Sequence, residues 1–321
     1  MNQGTIYMGV DVSATTVKAA LVNAEGEIYE ITQEALGDDP DAVLDGICRS
    51  VERLQGRASE RHWPIRSVGV GVPGLVNART QRVEAAPNLP SLVKVNVAEA
   101  VAERVRCPVL IENDANMAAY GEFVCGAARG RTNVIYIALG TGIGAGLICE
   151  GRLYRGALGF AGEFGHTTVD PDGLPCRCGN RGCLETIASG PNIVRRARER
   201  LFRDRSSSLS RLAVPGGGEL TPERIAAEAL NGDDFSLMIL EQTGKWIGIA
   251  VANVLNLLNL DMVVLGGGVM VAGDLLLNPI IAEVKRRAFT AMVAQCEIVA
   301  SLLGGQAGVI GSAMLARDTF R

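Results

Sequence analysis

The chain has 321 residues, 48% hydrophobic and 21% charged, which is enough to bury a sizeable core and too apolar for a disordered chain. A formal net charge of -4 argues against the basic footprint of a nucleic-acid binder. Aromatics are scarce at 4%, whereas 39 glycines cluster along the chain, which points to backbone that approaches something closely.

The pattern predicts a strand over Ile6–Val12, a small-residue turn at Ser13-Ala14-Thr15 and a second strand over Val17–Val22. Asn23–Gly26 makes the next turn. Asp41–Gln55 reads as a helix, with Val43, Leu44, Ile47, Val51 and Leu54 on one face. Ser67–Val72 alternates valine and glycine, as a buried strand would, and ends at Pro73-Gly74. A helix over Val97–Val105, a short strand over Val109–Ile111 and a helix over Asp114–Cys125 come next.

A strand over Val134–Leu139 runs into Gly140-Thr141-Gly142-Ile143-Gly144, and Ala145–Cys149 returns as a strand. Placing Thr15 over Thr141 sets Leu21 on Leu147 and Val22 on Ile148, which suggests a duplicated architecture of two lobes with a cleft between them. Asp204–Glu219 is polar and glycine-rich and reads as a surface loop. Thr221 starts a helix with Pro222 at its first position. Ser236–Leu258 is a long apolar helix, Asp261–Leu265 a strand ending in Gly266-Gly267-Gly268, and Asn278–Phe289 an amphipathic helix. Alternation of strands and helices throughout means an α/β fold.

The opening MNQGTIYMGVDV has no basic n-region and no long apolar h-region, so a cytoplasmic chain is expected. The longest apolar stretch, Ile247–Leu260, is broken by Asn253, Asn256 and Asn259 and is too short to span a bilayer, so no membrane partner is expected. Five of the eight cysteines, Cys48, Cys107, Cys125, Cys149 and Cys296, lie among apolar neighbours and read as core thiols. The other three form His166-x9-Cys176-x-Cys178-x4-Cys183, the three thiolates and one imidazole of a tetrahedral structural zinc site. The alternative, three reduced thiols and a satisfied histidine, fits poorly with so polar and glycine-rich a segment. A closed four-ligand site leaves no open position for chemistry, so its role would be to shape the loop that carries Glu163, His166 and Glu185.

Three loops can hold phosphate: Asp11–Thr16, Gly140–Gly142 and Gly266–Gly268, each following a strand. Each by itself could equally be a tight turn. Gly140-x-Gly142-x-x-Ala145 matches the dinucleotide fingerprint in letters, but Ala145–Cys149 reads as a strand, so no helix N-terminus would meet a pyrophosphate. Glu112-Asn113-Asp114-Ala115-Asn116 follows a short strand, at the edge where α/β sites form. It can also be a plain helix cap. With Asn88, Glu163, His166 and Glu185, these groups suit a ligand rich in hydroxyls, since each carboxylate or amide can engage two of them.

On these residues the chain resembles the ROK family (repressor, open reading frame, kinase) of the actin-like/hexokinase ATPase superfamily, and within it the bacterial ATP-dependent glucokinases. The likeness is most specific at Gly162-Glu163-Phe164-Gly165-His166 and Cys176-Arg177-Cys178-Gly179-Asn180-Arg181-Gly182-Cys183-Leu184-Glu185. It extends to Ala86–Pro90, Asn113–Asn116, Gly126–Gly130, Leu139–Gly144 and Leu265–Val269.

The resemblance implies a two-lobe actin-like/hexokinase (ribonuclease H-like) fold. It implies a small lobe of residues 1–113 and 307–321 and a large lobe of 114–306 that carries the zinc loop 166–183. It further implies phosphorylation of a hexose 6-hydroxyl by ATP and Mg2+, glucose first, with N-acetylmannosamine, allose, mannose or fructose as alternatives. A homodimer or homotetramer is implied as well. Asp114 would be the general base. Asn88, Asn113, Glu163, His166 and Glu185 would hold the other hydroxyls, with His166 serving both zinc and sugar. Asp11, Thr15, Thr16, Gly140, Thr141 and Gly142 would line the phosphates, with Asp11 placing magnesium, and Gly266, Gly267 and Gly268 would lie near the adenosine. A sugar-sensing protein of the same family without catalysis is the other reading.

One departure stands out. The family's first phosphate loop reads Asp-x-Gly-Gly-Thr, often followed by Lys, whereas this chain has Asp11-Val12-Ser13-Ala14-Thr15-Thr16. Glycine would be required there only for a positive φ or for lack of room for a Cβ.

Overall fold

The computed structural model describes residues 5–36, 40–87, 89–201, 206–212 and 218–321. The expected sugar ligand Asn88 and parts of the expected surface loop 204–219 therefore lie outside the described residues. Contacts divide the chain into two compact units, one of residues 1–136, 146–162 and 302–321, the other of 137–145 and 163–301.

The first sheet is built from β1 (Ile6–Val12), β2 (Thr16–Val22), β3 (Ile28–Ala35), β4 (Ile65–Val72) and β7 (Val109–Asn113), while β5 (Leu75–Asn77) and β6 (Arg82–Ala85) form a separate hairpin. Its strand order is β3-β2-β1-β4-β7. The second sheet comprises β8 (Val134–Leu139), β9 (Ile143–Cys149), β10 (Arg152–Leu153), β11 (Met262–Gly266) and β12 (Glu297–Ala300), in the order β10-β9-β8-β11-β12. Counted along the chain, each sheet has its strands in the order third, second, first, fourth, fifth. Residues 13–15 join the first two strands of one sheet, and residues 140–142 join the first two of the other. The alignment of Thr15 with Thr141 thus marks equivalent turns.

The helices are α1 (Pro40–Glu60), α2 (Val97–Val105), α3 (Asp114–Cys125), α4 (Glu185–Ala188), α5 (Gly190–Leu201), α6 (Pro222–Leu230), α7 (Asp234–Leu258), α8 (Asp274–Arg287), α9 (Thr290–Val293) and α10 (Ala307–Thr319). None of the described helices is long and apolar enough to cross a membrane. Thr221 caps α6, its hydroxyl accepting from the Arg224 amide at 3.3 Å, and Pro222 follows as expected. β3, the β5–β6 hairpin, α5, β12 and α10 were not among the expected elements. In α10 every residue from Ala307 to Ala316 is buried, so it carries no polar stripe to mark a helical period.

The alternation in Ser67–Val72 has a clear cause. Val68, Val70 and Val72 join Met8, Val10, Ile47, Val51 and Val101 in a core on one face of the first sheet. On the other face, α10 lies directly on backbone. A Cβ added to Gly69 would fall 2.0 Å from the Ser312 carbonyl oxygen. α10 also meets α3 without room for a side chain, since a Cβ on Gly311 would lie 1.7 Å from the Met117 carbonyl oxygen. This packing draws α3 into the first unit. Contacts group residues 114–136, 146–162 and 302–306 with β1 and α10, where the expectation drew its line at 113/114 and 306/307.

β1, β4 and β7 are parallel neighbours in register, with Asp11 beside Gly71 and Gly71 beside Glu112. Their C-terminal ends therefore bring Asp11 and the start of α3 to the same edge of the sheet. The Asp11 carboxylate packs against Gly308 in the first turn of α10, where an added Cβ would lie 2.5 Å from it. Burial pushes the Asp11 carboxyl up to about 6, partly opposed by the charge of Lys18, its cross-strand partner.

This packing can be tested by two substitutions. Gly311→Ala should lower the unfolding free energy by about 3 kcal/mol. Gly56→Ala in α1, where nothing lies within 4 Å of the new Cβ, should raise it by about 0.5–1 kcal/mol. Denaturant unfolding that ranked the two variants equally would refute the close approach. For Asp11, the unfolded carboxyl titrates near 3.8 and the folded one near 6. Between those values the native state keeps a proton that the unfolded state has lost, so stability falls as pH rises through the window. Asp11→Asn should be more stable than the parent above pH 6, by up to ~3 kcal/mol, and the difference should vanish below pH 4. A difference that did not vary with pH would count against the burial of this carboxyl.

Candidate active site

In the first unit, β7 runs straight into α3. Asn113 is the cap: its Oδ1 accepts from the Asn116 amide at 3.0 Å, while its Nδ2 donates to the Gly74 carbonyl at 3.0 Å. Both ends of its amide thus serve the backbone, so the helix-cap reading of this segment holds for Asn113. Asp114 is the first helical residue, and its Oδ1 accepts from the Ala115 amide at 2.9 Å. The helix dipole at this end favours a negative charge.

Beneath them sits Glu112, only 3% exposed, to which the sequence pattern assigned no role of its own. Its carboxylate takes the Arg155 Nε–H at 2.5 Å, the Asn113 amide at 2.9 Å and the Asn116 side-chain amide at 3.1 Å. A buried carboxylate needs such partners. The signal for it was an acidic residue closing an apolar strand, which called for a cation elsewhere in the chain.

The first expected phosphate loop is a tight turn between β1 and β2. Ser13 donates its amide to the Thr16 carbonyl at 2.8 Å. Its hydroxyl oxygen accepts from the amides of Thr16 at 3.1 Å and Thr15 at 3.4 Å. Neither Ser13 nor Ala14 has a positive φ. The turn therefore does not require glycine.

In the second unit, the sequence motifs converge. Gly140–Gly142 is closed by the Gly140 amide donating to the Gly142 carbonyl at 2.9 Å, and the Gly140 carbonyl accepts from Gly190 at the start of α5 at 2.8 Å. Glu185 braces the same loop: its Oε2 accepts from the Ile143 amide at 2.9 Å. A side chain at Gly142 would collide with it, a Cβ there lying 2.6 Å from Glu185 Oε2. Gly267, with φ at +89°, presses on the end of β8, where a Cβ would lie 2.3 Å from the Leu139 carbonyl oxygen. The glycine loops at 140–142 and 266–268 are thus neighbours.

The set of one histidine and three cysteines closes as its spacing predicted. The ligand atoms of His166, Cys176, Cys178 and Cys183 all lie within 4.8 Å of one another. Cys176 Sγ is 3.5 Å from His166 Nδ1, and Cys178 Sγ is 3.7 Å from Cys183 Sγ. Thiolates at about 2.3 Å from a tetrahedral zinc would be separated by roughly 3.8 Å, so the donor set fits that ion. The Cys183 sulfur also receives the Asn180 side-chain amide at 3.4 Å. With Nδ1 turned to the sulfurs, His166 Nε2 faces Glu163 Oε2 at 3.8 Å. The knuckle therefore fixes Glu163 at one end and, through Cys183-Leu184, Glu185 at the other. Of the five cysteines read as core thiols, Cys48 is buried and Cys107, Cys125, Cys149 and Cys296 are half-buried.

Comparison with known proteins agrees with these features. The ROK family model matches residues 7–319. The glucokinase of Halalkalibacterium halodurans is 36% identical over 317 residues, which cover 97% of this chain and 95% of that one. The xylose repressor of Caldicellulosiruptor bescii is 32% identical over 95% of this chain and 76% of the repressor. Among solved structures, a ROK family glucokinase from Streptomyces griseus in complex with glucose and AMPPNP is similar with a TM-score of 0.86 and 34% identity, covering 98% of this chain and 99% of that one. The paired five-stranded sheets are those of the actin-like/hexokinase fold, and the chain belongs to the ROK family.

Proposed function

We propose that this protein transfers the γ-phosphoryl group of ATP to the 6-hydroxyl of a hexose, with glucose as the first acceptor to test. The observation that carries the reading is in the second unit. There one carboxylate, Glu185, touches the Gly140–Gly142 turn and stands two residues from a zinc ligand, so hydroxyl-binding and phosphate-binding groups share one scaffold. Glucose and AMPPNP in the complex of the S. griseus relative support the same pair of ligands.

In this mechanism Asp114 accepts the proton of the 6-hydroxyl as that oxygen bonds to the γ-phosphorus and the bond to the ADP oxygen breaks. Asn113, Glu163, His166 and Glu185 hold the remaining hydroxyls, and Asn88 completes the set on sequence grounds. Gly140, Thr141 and Gly142 present amides and a hydroxyl to the phosphates with Thr15 and Thr16, and Gly266–Gly268 border the adenosine. Asp11 would hold Mg2+, which neutralises phosphate charge when bound. Zinc would be held by His166 Nδ1 and the three thiolates as a structural ion, leaving His166 Nε2 for a sugar hydroxyl. Phosphoryl transfer draws mainly on positioning and charge stabilisation, so rigid placement of these groups is what the reaction requires.

A second reading, sugar sensing without turnover, is favoured by Ser13-Ala14 in the first loop and by the likeness to a xylose repressor. The two readings separate in one assay. Mg-ATP with glucose should yield ADP, and no ADP with any hexose of a panel would remove the kinase reading. Asp114→Ala should lower kcat by about 10³-fold, within the range of general-base contributions, with little change in the KM for ATP. Turnover equal to the parent would remove Asp114 as the base. One zinc per chain should be found by atomic emission. Cys176→Ser should lose it, with a fall in Tm and a rise in the KM for glucose. A parent chain free of zinc, or a variant that kept its Tm and KM, would refute the structural role of the metal.

A further inference from the structure

Ser13 does more than fit the turn it occupies. A serine hydroxyl can donate one hydrogen bond and accept two. Here all three are used within four residues. The oxygen accepts from the Thr16 amide at 3.1 Å and the Thr15 amide at 3.4 Å. Its hydrogen can go to the Thr16 carbonyl at 3.1 Å or to the Thr16 hydroxyl at 2.9 Å. Successive amides of a tight turn converge on one point, and that point is where such a turn receives an anion. In this chain the Ser13 oxygen stands at that point.

We infer that the Ser13 hydroxyl is a built-in competitor for the phosphate of the nucleotide, and that it sets the affinity of this loop for ATP. The inference rests on the reading of residues 11–16 as a phosphate loop. For a phosphate oxygen to take the Thr15 and Thr16 amides, the Ser13 side chain must release them by rotating about its Cα–Cβ bond. The phosphate wins that exchange because hydrogen bonds to an ionised acceptor are roughly twice as strong as neutral ones. It does so at the cost of the two neutral bonds it displaces. Serine at position 13 thereby weakens nucleotide binding without any loss of room for the backbone, since Ser13 and Ala14 keep ordinary φ values. The side chain is exposed, so its rotation requires no repacking of the core.

The test is calorimetric titration of the full chain with Mg-AMPPNP, which needs no turnover. Ser13→Ala removes the competing oxygen and should tighten binding about three- to tenfold, the equivalent of one neutral hydrogen bond. Ser13→Thr restores a hydroxyl and should bind like the parent. In steady-state assays the gain of Ser13→Ala should appear in the KM for ATP, with kcat and the KM for glucose little changed. Equal or weaker binding by Ser13→Ala, in a parent that binds Mg-AMPPNP, would overturn this inference and leave the kinase reading standing. No binding by either protein would overturn both.

Discussion

In the first unit, α10 packs backbone to backbone. α10 touches β4 at Gly69 and α3 at Gly311, and neither place has room for a single carbon more. Interiors are packed densely enough that such a contact permits little variation. The placement of the chemical groups depends on it. β1 carries Asp11 near its end, whose carboxylate lies on the first turn of α10, and α3 begins with Asp114. α10 is therefore the common wall against which β1 and α3, the elements that carry the two carboxylates, are set, although it contributes none of the expected site residues itself.

The second unit reaches the same end by a different device. Beyond the β8–β9 turn at Gly140–Gly142, the 163–166 segment is a single short turn and Glu185 opens the four-residue α4, so neither is held by a long helix or strand. The knuckle of His166 and three cysteines ties the ends of this segment together, and the Glu185–Ile143 hydrogen bond ties the knuckle to the turn. A metal suits this work because four ligands fix a loop without a hydrophobic core beneath it. Glu185 meets the turn directly. A carboxylate taken for a sugar ligand has one oxygen engaged by the turn, so its geometry is set before any sugar arrives.

Much of this was legible in the residues. The histidine and three cysteines stood out because soft donors at short spacing in a glycine-rich segment rarely serve anything but a metal. The duplicated turns could be aligned from Thr15 and Thr141, and the two sheets have the same strand order. Other parts were hidden for physical reasons. α10 is buried on every side and gave no helical period. The pairing of Glu112 with Arg155 joins residues 43 positions apart, a separation no local pattern encodes. The double use of the Asn113 amide depends on Gly74, brought near by β4 and β7 pairing in register.

By itself, then, the sequence determined the α/β class, the metal donor set, the glycine turns and the acidic residue that begins α3. These come from local chemistry: period, spacing and the few residue types able to ligate or turn. Only the tertiary structure decided which unit α3 belongs to, why valine alternates with glycine in β4, what Glu112 and Glu185 hold, and where the Ser13 hydroxyl points. Those are matters of which backbone lies against which, and of which donors remain once neighbours distant in the chain have taken theirs.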